Sequence, residues 1–483
     1  MSGLDRVVVW APFVVGLALG LWGITGPSAW TDEIVTIDVA RRSWSQLIQL
    51  LGNMDAVHGL HYVLMYLVGQ VAGVSEFTMR LPSALAVAIA ASGLAGLGRQ
   101  LGGPRLGLYA GLLLAVLPTA SRYGQEARSF AFVMAAAVLA TGALVKLLTG
   151  HARGRWLAGY AVLIAALGWF NVMGLLLVAA HGTTVLLRRP GRRVIARVLL
   201  AQVAGIAAVV PLLILGFSQR SAVGDVASIT GGTPYNYLTW LLTPGQDTLP
   251  SALKLLLTPT ALAAVVLLIA RHRKTSPLVL AVGLPWLIVP PLLLMGASLD
   301  QSLFAYRYLL FTLPALALLI AAAATVLPQP LPVLLALLLA VPITVSHLAI
   351  RQQDSRSWDT TAVKTTLQSH AAPGDTVLFS GGRCDLMATA YPGTFAHLPD
   401  LGTAETAAER GTVNNLPADG ALLHRRLTNA PRVWHITCQH LSSGSRQDAA
   451  RTEASQKRAL TVAGLSPASH RNVRGVEITL YRR

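Results

Sequence analysis

Two adjacent carboxylates, Asp32 and Glu33, follow the first apolar segment in the run Trp30-Thr31-Asp32-Glu33-Ile34. A carboxylate can take a proton from a hydroxyl. Ionisable groups at the edge of a membrane segment are functional candidates by default, although an acidic pair also fits a solvated loop end. The chain continues Asp55-Ala56-Val57-His58-Gly59-Leu60-His61-Tyr62, then further on Arg122-Tyr123-Gly124-Gln125-Glu126-Ala127-Arg128, and late in the sequence Tyr306-Arg307-Tyr308. Guanidinium groups hold phosphate through charge-assisted, paired hydrogen bonds. Each arginine has a plainer use as well, snorkelling to headgroups, and Glu126 has one in a salt bridge with Arg122 or Arg128.

Eleven apolar segments must position these groups. They run roughly over 7–25, 81–98, 106–121, 129–148, 156–170, 172–187, 198–217, 252–270, 277–297, 307–326 and 331–349, and a spanning helix needs ~20 mostly apolar residues. The 483 residues are 53% hydrophobic and only 12% charged, half the charge of an ordinary soluble domain. The acidic residues concentrate after residue 351. The sequence therefore predicts an α-helical polytopic membrane protein of about 11 transmembrane helices (residues 1–350), followed by a small soluble α/β domain (351–483). Long connections at 26–80 and 218–251 are where a site would be built. The first segment reads as an uncleaved helix, and its Gly16 and Gly20 as a helix-packing pair.

The net charge of +17 does not point to nucleic acid, because the basic residues fall in short loops between apolar runs. With the N-terminus inside, Arg6, Arg99, Arg105, Lys146, Arg153, Arg155, Arg188, Arg189, Arg192, Arg193, Arg197, Arg271, Arg273 and Lys274 all lie on the inner side, as the positive-inside rule requires. Eleven spans then put the C-terminal domain outside. There the two cysteines, Cys384 and Cys438, are expected to pair; the alternative is two buried thiols. His435 and His440 flank Cys438 without a zinc-like spacing.

In the tail, Trp358, Ala362, Val363 and Leu367 share one helical face. Pro373-Gly374-Asp375 turns into a strand at 376–379; further strands are expected at 433–437 and 476–481, with a helix near 447–460. Its aromatics Trp358, Tyr391, Trp434 and Tyr481 suit either core packing or sugar stacking.

The Asp32-Glu33 opening, the Tyr-Gly-Gln-Glu-Ala-Arg turn at 123–128 and the Arg307-Tyr308 pair, in that order, resemble the GT-C glycosyltransferases. The chain is similar to the bacterial mannosyltransferase and aminoarabinose-transferase-like group, glycosyltransferase family 39-like, over residues 1–350 and into 358–379. The resemblance implies sugar transfer from a polyprenyl-phosphate donor to a glycolipid, polysaccharide or protein acceptor at the outer face of the plasma membrane. It implies Asp32 as general base, with Glu33 and Glu126 as further candidate catalytic carboxylates. It implies Arg307, Arg122, Arg128 and Tyr308 as donor-phosphate contacts. Asp55, His58, His61, Tyr62, Tyr123 and Gln125 would then contact substrate. Gly59-Leu60 departs from the prolines usual in the group. No cofactor is required by this chemistry, and a divalent metal between Asp32 and His58 is allowed but not favoured. Mannose is the first expected sugar and a pentose such as arabinose the second.

The alternative class is a polytopic transporter or lipid-linked-sugar flippase. Transporters place ionisable groups at the midplane and show inverted repeats, whereas here the charges gather at one face.

Overall fold

The computed structural model describes residues 3–150, 154–219, 229–244, 251–271, 276–300, 303–439 and 443–483. Arg153, Arg273, Lys274 and His440 lie outside the described residues. The chain opens with α1 (Gly3–Leu21), then α2 (Thr31–Arg41), α3 (Trp44–Asn53) and α4 (Gly59–Ala72), three helices inside the stretch expected to be a connecting loop. Next come α5 (Glu76–Gly102), α6 (Pro104–Val116), α7 (Pro118–Gly124), α8 (Phe130–Leu148), α9 (Gly154–Phe170) and α10 (Leu176–Arg188). The series continues with α11 (Arg192–Ala207), α12 (Val210–Ser218), α13 (Thr233–Leu242), α14 (Ser251–Ala270), α15 (Pro277–Ala297), α16 (Leu313–Val326) and α17 (Leu331–Ala349).

All eleven apolar segments are helical, but several are broken. Among the described residues, five helices are long and apolar enough to cross a membrane: α5, α8, α15, Tyr306–Val326 and α17. The α11–α12 pair makes a sixth if its 42° bend is one span, and α1, α4, α6, α9, α10 and part of α14 are shorter apolar helices. The segment expected at 106–121 divides at Leu117, which is extended (φ −64°, ψ 126°) because Pro118 follows it; the residue before proline avoids the α region. The protein is thus a polytopic α-helical membrane protein with a small C-terminal sheet domain.

The chain divides into two compact units. The first comprises Met1–Ile24, Arg80–Ile214 and Val226–Arg351, the second Thr25–Met79, Leu215–Asp225 and Gln352–Arg483. In the first, small residues let helices approach closely. A Cβ on Gly20 of α1 would lie 3.0 Å from the Ala84 side chain of α5, and one on Gly107 of α6 would lie 2.5 Å from the Ala95 carbonyl oxygen. A buried polar network ties α8 to α11. Tyr160 Oη lies 2.8 Å from His181 Nδ1, His181 Nε2 lies 3.0 Å from Thr141 Oγ1, and Gln202 Nε2 donates to Tyr160 Oη at 3.0 Å. Thr141 gives its own proton to the Ala137 carbonyl at 2.7 Å, so His181 fits the neutral Nε2–H tautomer.

The second unit joins α2–α4 to the tail: α18 (Thr360–His370), β1 (Thr376–Ser380), α19 (Leu386–Ala390), α20 (Pro392–Phe395), β2 (Thr403–Glu405), β3 (Leu416–Pro417), α21 (Gly420–Thr428), β4 (Arg432–Cys438), α22 (Ser443–Val462), β5 (Ser466–Val473) and β6 (Val476–Arg482). The main sheet has the order β1-β4-β6-β5, with β1 and β4 parallel and the other pairs antiparallel. Leu378, Leu427, Val433 and Leu460 form its core. Asp375, in the turn before β1, is buried. It accepts from Trp434 Nε1 at 2.8 Å and from the Ala372 amide at 3.0 Å. Cys384 and Cys438 form a disulfide, with Cα atoms 5.8 Å apart.

Candidate active site

In the second unit the site begins at α2. Trp30 is extended at the N-cap, so helix formation starts at Thr31 and both Asp32 and Glu33 fall in the first turn, where the helix dipole favours negative charge. Asp32 is half-buried, and Glu33 is buried at 1% exposure. One helix turn after Glu33's neighbours, Asp38 binds Arg42 through Nη2 at 2.7 Å and Nε at 3.1 Å, both side chains buried. Asp38 also accepts from Thr389 Oγ1 of α19. That clamp fixes the rotation of α2 and hence the direction of its first turn.

A second cluster lies at the start of α4. Asp55 occupies the left-handed region (φ 58°), a conformation in which asparagine and aspartate are enriched and which is strained for most residues. Its carboxylate accepts from Tyr62 Oη at 3.2 Å. The Tyr62 ring lies 6.0 Å from His58 and 6.2 Å from His61, centroid to centroid. His61 and Tyr62 are fully buried. Gln219 locks the turn, accepting from the Ala56 amide at 3.0 Å and donating to the Leu51 carbonyl at 3.0 Å. The structure thus brings Asp55, His58, His61 and Tyr62 together.

In the first unit, the break at Pro118 makes α7 a separate short helix, which ends in the Arg122–Arg128 turn. Arg122 Nε lies 3.3 Å from Glu126 Oε1, and Glu126 is 1% exposed. Gln125 is fully buried and spends its amide on the Gly20 and Trp22 carbonyls at 3.0 and 2.7 Å. The Arg128 carbonyl accepts from Ser83 Oγ at 3.3 Å. Tyr123 packs edge-on between Phe130 and Trp240, at 5.7 Å from each. Trp240 in turn stacks on Tyr306 at 5.9 Å, and Phe130 meets Tyr308 at 6.4 Å. The half-buried Arg307 guanidinium sits 5.6 Å from the Tyr308 ring centroid. One aromatic patch therefore joins the 122–128 turn to Arg307. Among the described residues no three His, Cys, Asp or Glu side chains gather as a metal-binding set.

Residues 60–215 match the family model of dolichyl-phosphate-mannose-protein mannosyltransferases. The whole chain is similar in structure to ArnT from Cupriavidus metallidurans in the apo state, with a TM-score of 0.60 at 12% identity, covering 98% of this chain and 97% of that one. The chain has the GT-C glycosyltransferase fold. ArnT from the same organism bound to undecaprenyl phosphate gives a TM-score of 0.59 at 12% identity over 98% of both chains. The arabinofuranosyltransferase AftD from Mycobacteria gives 0.55 at 16% identity, over 99% of this chain and 40% of AftD. No curated protein matches the chain at the level of sequence.

Several charged groups of this GT-C fold escape the sequence reading. Asp38 and Arg42 form their buried pair at an i, i+4 spacing that equally suits a solvated helix face. Arg80 is buried at 1% exposure and donates to the Ile24 carbonyl at 2.8 Å. Arg351 binds the Leu19, Trp22 and His347 carbonyls at 2.6, 2.7 and 2.7 Å, and Ser121 Oγ at 2.9 Å. It fastens the ends of α1 and α17 to α7. The only signal for Arg80 and Arg351 is a basic residue at the edge of an apolar run. Of the tail aromatics, Trp358, Trp434 and Tyr481 are core residues.

Proposed function

We propose that the chain is a plasma-membrane glycosyltransferase that moves a sugar from a polyprenyl-phosphate carrier to a hydroxyl of a glycan, glycolipid or protein acceptor on the outer face. The observation that carries this reading is the Asp32-Glu33 pair opening α2 on a GT-C fold. Asp32 takes the acceptor hydroxyl proton as the oxygen attacks the anomeric carbon. The bond from that carbon to the phosphate oxygen breaks, and polyprenyl phosphate leaves as an anion with no proton required. Arg307, with Arg122 and Arg128, offsets the charge that develops on the phosphate. Displacement from the opposite face inverts the anomeric centre. Glu33 and Glu126 orient the reacting groups, and the half-buried Asp55 and His58 contact substrate, backed by the buried His61 and Tyr62. The fold's relative bound to undecaprenyl phosphate supports a lipid-linked donor, and the mannosyltransferase family segment favours mannose ahead of a pentose.

The Cys384–Cys438 disulfide supports an oxidising compartment for the C-terminal domain. The basic inner loops support a cytoplasmic N-terminus. The test uses purified full-length protein in nanodiscs with polyprenyl-phosphate mannose or arabinose and a set of envelope glycolipids. Release of polyprenyl phosphate matched by an inverted glycoside is expected. Intact donor with every acceptor overturns the reading.

A further inference from the structure

A cavity of about 320 Å³ lies within the second unit, between α2, the turn from α4 to α5, and the C-terminal domain. We propose that it binds a sugar unit of a glycan acceptor, away from the bond-forming centre. This rests on the reading of Asp32 as the base.

The lining combines fixed polar groups with an apolar wall. Arg41, the last residue of α2, donates from Nε to the Ala390 carbonyl at 2.9 Å and from Nη2 to the Val74 carbonyl at 3.1 Å. Lys364 and Tyr391 both donate to Glu76 Oε1, at 2.8 and 3.0 Å. Lys364 also lies 4.2 Å from the Tyr391 ring centroid. These bonds hold the lining in place while Glu76 Oε2, Arg41 Nη1 and the Thr25 hydroxyl remain for a ligand. Phe77, 43% exposed, supplies an aromatic surface.

This chemistry fits a neutral polyol better than an anion. Lys364 is paired with Glu76, and Arg41 already gives Nε and Nη2 to the Ala390 and Val74 carbonyls. The paired guanidinium donors that a phosphate would take are therefore in use, and the Glu76 carboxylate opposes an anion. Hydroxyls both donate and accept, which suits a carboxylate oxygen beside a guanidinium and a threonine. The place is consistent too. Asp32 and Arg41 lie nine residues apart on one helix, about 14 Å along its axis. A glycan whose terminal hydroxyl reaches Asp32 would bring a unit further along its chain to the cavity.

The test measures binding rather than turnover, using full-length protein in detergent. Mannotriose and arabinotriose are titrated into Asp32→Asn, and into Asp32→Asn carrying Thr25→Ala or Glu76→Gln. Thr25→Ala removes a hydroxyl without an internal bond, and Glu76→Gln keeps an acceptor for Tyr391, so neither should unfold the unit. One trisaccharide is expected to bind, and each added variant to weaken it by about fivefold, the loss of one hydrogen bond. Short-chain phosphatidylglycerol is expected not to displace it. Absence of binding by either sugar, indifference to both variants, or displacement by the lipid overturns the proposal. Retained transfer by Asp32→Asn with sugar binding intact would instead remove the base and leave this cavity's role standing.

Discussion

The Arg42 guanidinium holds the Asp38 carboxylate at 2.7 Å, both groups buried, on the helix whose first turn carries Asp32. Removing one partner leaves the other as an unpaired buried charge, which costs about 3–5 kcal/mol. Asp38→Ala is therefore expected to lower the unfolding temperature sharply. The double variant Asp38→Ala/Arg42→Leu, which removes both charges, is expected to recover much of the loss. Thermal unfolding followed by fluorescence in detergent checks both.

Arg307 supplies a different kind of prediction. Its guanidinium is half-buried and lies against the Tyr308 ring, and Arg307→Ala is expected to leave the protein folded, as thermal unfolding will check. If it carries the leaving phosphate, transfer should fall by about a hundredfold or more in kcat/KM. Arg307→Lys should restore part of it, since a point charge replaces a paired donor. Steady-state kinetics with polyprenyl-phosphate mannose reads the difference.

Asp385 makes stability depend on pH. Burial, then the neighbouring Asp400, pushes its carboxyl up to about 6, while the unfolded chain should titrate near the ordinary carboxylate value of about 4. Between those values the folded state holds the proton and the unfolded state does not. Stability therefore falls as pH rises through this window, and the penalty is complete above the folded pKa. Asp385→Asn should raise the unfolding temperature at pH 7.5 and flatten its slope between pH 4.5 and 6.5. A parent whose stability rises with pH in that range, with no change in Asp385→Asn, would contradict the assignment.

The disulfide closes a loop with a sequence separation of 54, and in the loop-entropy account such a closure stabilises by about 4 kcal/mol. Paired Cys384→Ser/Cys438→Ser should lower the unfolding temperature. Maleimide labelling of the denatured, unreduced parent should find no free thiol.

The bundle was legible because a long apolar run has few other uses, and each such run is helical in the structure. The breaks were harder. Pro118 divides a run that reads as continuous, and its effect is to set the Arg122–Arg128 turn on a short helix of its own. Helix α2 was hidden because its apolar residues are mixed with Asp32, Glu33, Asp38 and Arg41. Helices α3 and α4 carry no such charges but, at 10 and 14 residues, fall short of the ~20 that a spanning run needs. In the tail, β1, β4 and β6 carry apolar runs, whereas β5 (Ser466–Val473) is an almost wholly exposed edge strand with no such pattern. The site divides along the same line. Asp32 and Arg307 stand out as charges at helix ends. The contacts of Tyr123 with Trp240, and of Arg351 with three distant carbonyls, join residues far apart in sequence, so one sequence gives no sign of them.

Single-turnover transfer from radiolabelled polyprenyl-phosphate mannose, compared between parent and Asp32→Asn at matched folding and donor binding, bears most directly on the mechanism. Loss of the base should slow the chemical step by at least about a hundredfold, with the donor still bound. Transfer by Asp32→Asn at the parental rate would contradict it.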